Sequence, residues 1–203
     1  MSSLPIGNQA SEQPPRPSEA RARILEVAHD LFTMRRLGAV AVNEIIAKAG
    51  VAKMTFYRHF RSKEDLALAV IARHETLWTR DWFEAEVMRR ASDPGDRILA
   101  IFDIFDEWFK RPDFEGCFFV NTLVETPERG DPIREASNRQ IAAIRVILSN
   151  LAEQAGIARP KAFARKLQMV LLGSIVAATE GDTEAASRAR ELCLLLLESE
   201  LRT

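Results

Sequence analysis

The sequence predicts an all-α protein of about nine helices, and three observations support this prediction. From residue 18 onward, apolar residues recur at steps of three and four, which is the period of a helix that buries one face. Gly and Pro residues separate the periodic segments, and no segment alternates apolar and polar residues as a half-buried strand would. The composition, 47% hydrophobic and 28% charged, is typical of a chain that folds around a core.

The amino-terminal end differs from the rest of the chain. Residues 1–18 contain four Pro and no apolar run, so they predict neither a signal peptide nor a helix. We expect residues 1–17 to be a disordered arm. Every apolar stretch elsewhere is shorter than the roughly 20 residues that cross a bilayer, so the sequence predicts no membrane contact.

Three helices are predicted in a first domain, residues 18–64. The first begins at Ser18, which is expected to be its N-cap. The second spans 43–48 and ends at Gly50, and the third spans 52–60. A helix, a three-residue turn containing Gly and a second short helix have the spacing of a helix-turn-helix.

The remaining helices are predicted to form a larger carboxy-terminal domain, residues 65–203. The first of them is long: it starts at Ser62, where Asp65 supplies the acid of a capping box, and reaches about Met88. Five more helices follow, separated by breaks that contain Pro or Gly. Their predicted spans are 98–110, 114–125, 133–154, 160–178 and 183–201.

Charge is distributed unevenly although the formal net charge is only −1. Residues 16–66 carry ten Lys or Arg against six acidic residues, whereas residues 67–203 carry 18 basic and 22 acidic residues. This asymmetry predicts different partners for the two parts. The two cysteines and three histidines form no disulfide framework or metal-ligand pattern, so we predict no cofactor and a reducing, cytoplasmic location.

The third predicted helix carries groups suited to an anionic partner. Phe56 and Phe60, four residues apart, are expected to pack inward. Side chains at the start of such a helix meet base edges in the major groove of DNA, and flanking groups meet phosphates. Taken alone, this basic run is equally compatible with a solvated helix face. The predicted DNA contacts are Asn43, Lys53, Met54, Thr55, Tyr57, Arg58, His59 and Lys63.

The run from Arg23 to Leu66 resembles the DNA-binding domain of the TetR/AcrR transcriptional regulators. The resemblance implies a homodimer, a palindromic double-stranded DNA operator and a carboxy-terminal pocket for a small-molecule effector. It also implies a repressor that the effector releases from DNA. The matching residues are Ile24, Leu25, Ala28, Leu31, Phe32, Ile45, Ala49, Gly50, Val51, Lys53, Thr55, Tyr57, His59, Phe60, Ser62, Lys63, Glu64 and Leu66.

The chain departs from this family pattern at four places, two of which lie before the turn. Arg36 stands where the family has a Gly after the first helix, and we expect Gly38 to take over that role. Val40 and Ala41 replace the usual Thr pair, so Asn43 is expected to cap the second helix.

The other two departures lie at the start of the recognition helix. Ala52 replaces a Ser that commonly caps this helix and contacts phosphate. Met54 replaces a small residue, and its side chain is expected to contact a thymine methyl or to alter which bases are recognised. Arg16, Arg21 and Arg23 are either contacts of an arm with DNA or exposed residues without that role.

Aromatic residues of the carboxy-terminal domain are core residues by default, but some are expected to line a ligand cavity. His74, Asn121 and Glu125 are the predicted polar anchors, and the last two share a helix face. Cys117 is either a buried thiol or a redox sensor. The predicted pocket residues are His74, Trp78, Phe102, Phe105, Trp108, Phe118, Asn121, Glu125 and Met169.

The last two predicted helices carry apolar stripes suited to a dimer interface. Two helices from each chain would form a four-helix contact with two-fold symmetry, and packing inside one chain is the alternative. The predicted interface residues are Leu167, Val170, Leu171, Ser174, Ala178, Leu192, Leu195 and Leu196.

A second class of function stays open beside a DNA-binding regulator. A helical ligand-binding or carrier protein could use its helix-turn-helix for protein contact. No nucleophile–base pair or Gly-rich phosphate loop occurs in the sequence, so an enzyme is not predicted.

Overall fold

The computed structural model describes residues 17–201. This part of the chain folds into nine helices and contains no strand, so the all-α prediction is confirmed. The expected disordered arm and Arg16 lie outside the described residues. The helices are α1 (Pro17–Arg35), α2 (Val42–Ala49), α3 (Lys53–His59), α4 (Lys63–His74, Glu75–Glu84 and Ala85–Arg90), α5 (Pro94–Phe109), α6 (Phe118–Glu125), α7 (Pro132–Gln154), α8 (Pro160–Thr179) and α9 (Ala185–Leu201).

Helix α4 is continuous, although its middle segment, Glu75–Glu84, is π-helical. A π-helical turn holds more residues than an α-helical turn, so it changes the direction in which successive side chains point. Runs of this type are uncommon and often occur at functional sites. The segment carries Trp78 and Trp82.

The capping prediction at Ser62 is confirmed. The Ser62 hydroxyl accepts a hydrogen bond from the Asp65 N–H at 3.0 Å, and the Asp65 carboxylate accepts one from the Arg61 N–H at 3.0 Å. These reciprocal bonds satisfy N–H groups that a helix start leaves without partners. They fix Lys63 as the first residue of α4.

Asp-Pro pairs start α5 and α7. Asp93 accepts hydrogen bonds from two N–H groups of α5 at 2.8 and 3.1 Å, and Asp131 accepts two from α7 at 2.7 and 3.2 Å. A Pro at the first helical position loses nothing, because that residue has no N–H partner in any helix. Both helices therefore begin earlier than predicted, at Pro94 and Pro132.

Three predicted helix ends are wrong in detail. The residue that adopts the left-handed conformation after α1 is Arg36, with a φ of +66°, and not Gly38. Asn43 lies inside α2 and does not cap it, because the N-cap is Ala41, which has no side-chain acceptor. Ser18 lies inside α1, whose described part already begins at Pro17.

Helix α6 begins later than predicted. The sequence predicts a helix from residue 114, but the structure begins it at Phe118. Gly116 has a φ of +82°, which a helix cannot contain, and a Cβ atom there would lie 3.2 Å from the Thr179 hydroxyl. Residues 110–117 therefore form a connecting loop between α5 and α6.

One apolar core runs from the first helices to the last. Ile24, Phe32, Ile45 and Phe56 fill the space between α1, α2 and α3, and all four are buried. The core continues without interruption along α4 into α5, α7, α8 and α9. The helix-turn-helix is thus packed against the rest of the protein.

Among the described helices, α8 alone is long and apolar enough to cross a membrane by length and composition. Its buried face, which includes Phe163, Leu167 and Leu171, packs inside the protein. Its other faces carry exposed charged residues such as Lys161 and Arg165. Both features are those of a core helix in a helical bundle.

Candidate nucleic-acid interface and ligand cavity

The turn between α2 and α3 has the geometry that the sequence predicts. Gly50 ends α2 in the left-handed conformation, with a φ of +60°, and its N–H bonds back to the Ala47 and Ile46 carbonyls. Arg23, on α1, donates from Nε to the Ala49 carbonyl at 3.1 Å and from Nη2 to the Gly50 carbonyl at 3.1 Å. Arg23 therefore stabilises the turn from the α1 side, a role that neither sequence interpretation gave it.

Helix α3 is anchored by one face and free on the other. Phe56 and Phe60 are buried, as expected, and the Arg21 guanidinium lies 5.2 Å from the centre of the Phe60 ring. Met54 is 78% exposed and Tyr57 is 44% exposed. Lys53 and Arg58 are exposed as well, whereas Thr55 and His59 are half-buried. The outward face of α3 thus presents basic, hydroxyl and thioether groups together.

Lys63 and Asn43 flank this face. Lys63 is the first residue of α4 and is half-buried, and burial lowers the pKa of its ammonium while the nearby Glu125 carboxylate acts in the opposite direction. Asn43 is exposed on α2. The first turn of α4 also offers backbone N–H groups, which favour an anion at that position.

A cavity of about 300 Å³ lies on the other side of α1. Its wall comes from α1, from the π-helical segment of α4, from the end of α5 with the following loop, and from the start of α6. His29 Nε2 lies 3.1 Å from His74 Nδ1, so the two imidazoles share a hydrogen bond across the α1–α4 contact. The lining residues are His29, Thr33, Met34, His74, Leu77, Trp78, Trp82, Trp108, Arg111, Asp113, Glu115, Gly116, Cys117, Phe118 and Phe119.

Four of the nine predicted pocket residues line this cavity, namely His74, Trp78, Trp108 and Phe118. The other five do not line it. Phe102 and Phe105 are enclosed in the core, and Met169 is exposed on α8. The Asn121 amide donates to the Glu115 carbonyl at 2.8 Å, and the Glu125 carboxylate accepts from the Gly38 N–H at 2.8 Å.

The sequence interpretation missed the contribution of α1. His29, Thr33 and Met34 belong to the predicted DNA-binding domain, yet they line the cavity. Their spacing shows that they share one face of α1. The sequence does not show which other helices lie opposite that face. Trp82, which lies with Trp78 in the π-helical segment, was also missed.

The buried titratable groups of the wall stay uncharged at neutral pH. Burial, with a smaller effect of His29, lowers the pKa of His74 to about 3. Burial raises the pKa of the Cys117 thiol, although the N–H groups of Val120 and Phe119 act against this. A protonated, buried thiol is a poor nucleophile, so the environment of Cys117 favours a structural role over redox sensing.

The predicted dimer stripe on α8 is divided between buried and partly exposed positions. Leu167, Leu171 and Ser174 are buried within this chain and cannot contact a second one. Val170 and Ala178 are half-buried. The exposed apolar residues of α8 are instead Met169, 74% exposed, and Val176, which lie two turns apart.

On α9, the predicted residues fit an external contact better. Leu192 is 52% exposed and Leu195 is 62% exposed, while Leu196 is half-buried. Helices α8 and α9 pack against each other. Their exposed apolar residues, Met169, Val176, Leu192 and Leu195, are called the α8/α9 apolar face below.

A helix-turn-helix with a free basic face, joined to a larger set of helices beside a cavity, defines a DNA-binding regulator. The model "Bacterial regulatory proteins, tetR family" matches residues 24–70, and the model "Tetracyclin repressor-like, C-terminal domain" matches residues 94–193. The chain belongs to the TetR family of transcriptional regulators. Proteins of this family are DNA-binding regulators and not enzymes.

Relatives of known role include both directions of regulation. The transcriptional activator FasR of Mycolicibacterium smegmatis is 30% identical over 145 residues, which are 70% of this chain and 64% of FasR. The transcriptional repressor NemR of Escherichia coli is 24% identical over 136 residues, which are 66% of this chain and 68% of NemR. The crystal structure of a TetR-family regulator from Streptomyces coelicolor superposes with a TM-score of 0.79 at 26% identity, and the match covers 90% of this chain and 96% of that one.

Proposed function

We propose that this protein is a cytoplasmic one-component repressor, a homodimer that binds a palindromic operator and leaves it when a small molecule fills the cavity. The observation that carries the proposal is the outward face of α3, where Lys53, Met54 and Tyr57 are exposed on a helix anchored by buried Phe56. We also propose that residues 18–64 form the DNA-binding domain and residues 65–203 the effector-binding and dimerisation domain.

Each side chain of this surface has a proposed role. Lys53, Met54 and Thr55 stand at the start of α3 and contact base edges in the major groove. Tyr57, Arg58, His59 and Lys63 bind phosphate oxygens, as does Asn43 from α2. Lys63 is well suited, because the N–H groups at the start of α4 attract the same phosphate.

The position of the cavity supports release of DNA on ligand binding. Its wall includes three residues of α1, the helix against which α2 and α3 pack. A ligand that needs a different spacing between α1 and α4 shifts the population toward a state in which the two recognition helices no longer fit successive major grooves. Such a ligand lowers operator affinity, which is the behaviour of a repressor.

Fluorescence anisotropy with labelled operator, selected from a random DNA pool, tests DNA contact. Tyr57→Phe removes one phosphate bond and is expected to weaken binding by about 1 kcal/mol, roughly fivefold in Kd. Lys53→Ala is expected to reduce the slope of log K against log salt by about 1. Arg139→Ala, an exposed Arg on α7, is the matched control and should change neither quantity.

The α8/α9 apolar face carries the proposal of a homodimer. Leu195→Glu places a charge in the centre of this face and is expected to give a monomer in analytical ultracentrifugation. Met88→Glu changes an exposed apolar residue of α4 in the same way and should leave the dimer intact. A Leu195→Glu protein that stays dimeric would place the interface elsewhere.

Salt dependence separates this proposal from the alternative in which the helix-turn-helix contacts another protein. DNA binding through phosphates loses affinity steeply as salt rises, because bound counterions are released. If no selected DNA binds at low salt, the alternative gains support and the roles of the α3 residues fall with the proposal.

A further inference from the structure

The wall of the cavity contains every tryptophan of the chain. The sequence has three, Trp78, Trp82 and Trp108, and all of them line the cavity. The ring centre of Trp78 lies 5.7 Å from that of Trp82 and 5.5 Å from that of Trp108. The Trp78 plane is tilted by 49° against that of Trp82 and by 56° against that of Trp108, so the three indoles form one aromatic cluster and not a single plane.

The charged groups of the wall favour a positive ligand. Arg111 donates two hydrogen bonds to the Asp113 carboxylate, at 2.8 and 2.7 Å, so these two charges offset each other. The exposed Glu115 carboxylate has no hydrogen-bond or ion-pair partner among the described residues. No Lys lines the cavity, His74 is neutral, and the ring of His29 lies 3.3 Å from the Asp30 carboxylate, which would match a charge on that imidazole. The unmatched charge of the wall is therefore negative.

The start of α6 also meets the cavity, and free N–H groups at a helix start attract anions. Here the N–H groups of Phe119 and Val120 lie near the Cys117 thiol and act against the rise in its pKa, but the Cys117 side chain makes no capping hydrogen bond. The effective charge at a helix start is about half an elementary charge. It is therefore smaller than the full charge of the Glu115 carboxylate.

We infer that the cavity takes a flat aromatic organic cation, whose rings contact the indole cluster and whose positive group faces Glu115. Indole is the strongest cation–π partner among the side chains, and a carboxylate at the rim adds a direct charge interaction. The inference rests on the proposed ligand-responsive function, since it names the ligand class of that cavity.

Three compounds of one shape test the ligand class: 10-methylacridinium, acridine in its neutral form, and acridine-9-carboxylate. Binding to the full chain without DNA is measured by isothermal titration calorimetry and by quenching of tryptophan fluorescence, which reports on the cavity alone. The cation is expected to bind roughly tenfold more tightly than neutral acridine, and the anion most weakly.

Two variants locate the preference. Glu115→Gln is expected to bring the cation and neutral acridine to similar affinities, whereas Glu128→Gln, in the exposed turn after α6, should leave the tenfold ratio unchanged. Trp82→Ala is expected to weaken all three compounds. Tightest binding by the carboxylate, or an unchanged ratio in Glu115→Gln, would overturn the ligand class.

The operator assay keeps this inference separate from the proposed function. If 10-methylacridinium binds with the stated ratio but leaves operator affinity unchanged, the ligand class stands and release by the ligand fails. If operator binding fails in every condition while the cation still binds, only the DNA-binding proposal fails.

A second observation concerns the other end of α6. Its first residues, Phe118 and Phe119, line the cavity, and its last residue, Glu125, accepts the Gly38 N–H at 2.8 Å. The other carboxylate oxygen of Glu125 is buried without a hydrogen-bond partner. Burial lowers the pKa of the Lys63 ammonium, and the Glu125 carboxylate is close enough to act against this lowering. One helix of eight residues thus joins the cavity to the turn between α1 and α2.

We propose that Glu125 is the positioning residue that couples the cavity to the DNA-binding helices. A carboxylate with one free oxygen binds its Gly38 partner in one orientation of α6, and a movement of α6 breaks that bond. Coupling between two sites is reciprocal, so operator binding must also act on the cavity. This consequence needs no knowledge of the ligand.

Tryptophan fluorescence on addition of operator DNA tests the coupling. The wild-type chain is expected to show a change in emission on saturation with operator. Glu125→Ala should still bind operator but lose most of this change, and Glu125→Gln should keep part of it because its amide oxygen still accepts the Gly38 N–H. Val124→Ala, a neighbouring exposed residue, is the control. A full emission change in Glu125→Ala, or none in the wild type, would contradict the proposal.

Discussion

The α3 surface and the cavity are constructed in opposite ways. The α3 surface is made of exposed and half-buried side chains within residues 53–63, which belong to one short helix and the start of the next. The cavity takes its wall from four separate segments, between His29 and Phe119. A surface of the first kind depends on local structure, and a cavity of the second kind depends on how distant helices cross.

Helix α1 contributes to both the support of the α3 surface and the wall of the cavity. Its residues Ile24, Ala28 and Phe32 fill the core beneath α2 and α3, while His29 and Thr33 line the cavity on another face. A rigid helix with a core on one face and a cavity on another cannot shift toward one without shifting from the other. The two surfaces are therefore joined through one helix even though their residues do not overlap.

The largest expected effect tests whether the two regions also unfold together. Phe56→Ala removes a buried ring beneath α3 and is expected to lower the free energy of unfolding by about 3–5 kcal/mol. Urea unfolding is followed by tryptophan fluorescence, which reports on the cavity, and by circular dichroism. Because the core is continuous, both signals should shift to the same lower midpoint.

Phe56→Leu keeps most of the buried volume and should cost less than half as much. A fluorescence transition that stays at the wild-type midpoint while the helix signal falls early would show that the helix-turn-helix unfolds alone, and would break the mechanical connection inferred above.

The second effect acts from the cavity side and depends on pH. His74 is neutral in the folded protein with a pKa of about 3, whereas an unfolded His binds a proton below about pH 6.5. Stability is therefore complete above about pH 6.5 and falls as the pH decreases toward 3. The expected loss at about pH 5 is about 2 kcal/mol. Urea unfolding at a series of pH values measures it.

His74→Phe provides the comparison, since it removes the titrating group and keeps an aromatic ring beside Phe118 and Phe119. Its stability should change less between neutral pH and about pH 5 than that of the wild type. An equal pH dependence in both proteins would show that other groups dominate.

The same contrast explains what the sequence could predict. The helix-turn-helix was predicted with its turn, its capped α4 and its inward Phe56 and Phe60, because each depends on residues a few positions apart. Of the nine predicted pocket residues, four line the cavity. Helical period marks Phe105 and Trp108 alike as apolar, and only the crossing of distant helices puts one in the core and the other on the wall.

Helix α8 shows a related limit. Leu167 and Leu171 form one apolar stripe and Met169 and Val176 form another, so the period alone could not decide which stripe faces the core. The first was predicted to face a partner and is buried. The prediction for the end of α1 failed for a different reason. The left-handed conformation falls on Arg36, a residue type that rarely adopts it, whereas the nearby Gly38 was the expected position.

A smaller effect is expected at the boundary between the two regions. Ser62→Ala removes the acceptor for the Asp65 N–H and should lower the free energy of unfolding by about 1 kcal/mol. It should also weaken operator binding, because the first turn of α4 presents Lys63. Ser92→Ala, at an exposed position that caps no helix, is the control and should change neither measurement. Lower stability with unchanged operator affinity would separate the cap from the phosphate contact.

The smallest effect should be a gain. Arg36 adopts a φ of +66°, in which a side chain costs roughly 1 kcal/mol and glycine none, although glycine also loses more backbone freedom on folding. Arg36→Gly is therefore expected to raise the free energy of unfolding by about 0.5 kcal/mol. Arg36→Ala also removes the guanidinium but keeps Cβ, so it should give no gain. The turn after α1 also carries the Gly38 N–H that Glu125 binds. A change in the backbone of this turn therefore affects both the start of the helix-turn-helix and its contact with α6. If both variants stabilise the protein equally, the gain comes from loss of the charged side chain and not from the backbone.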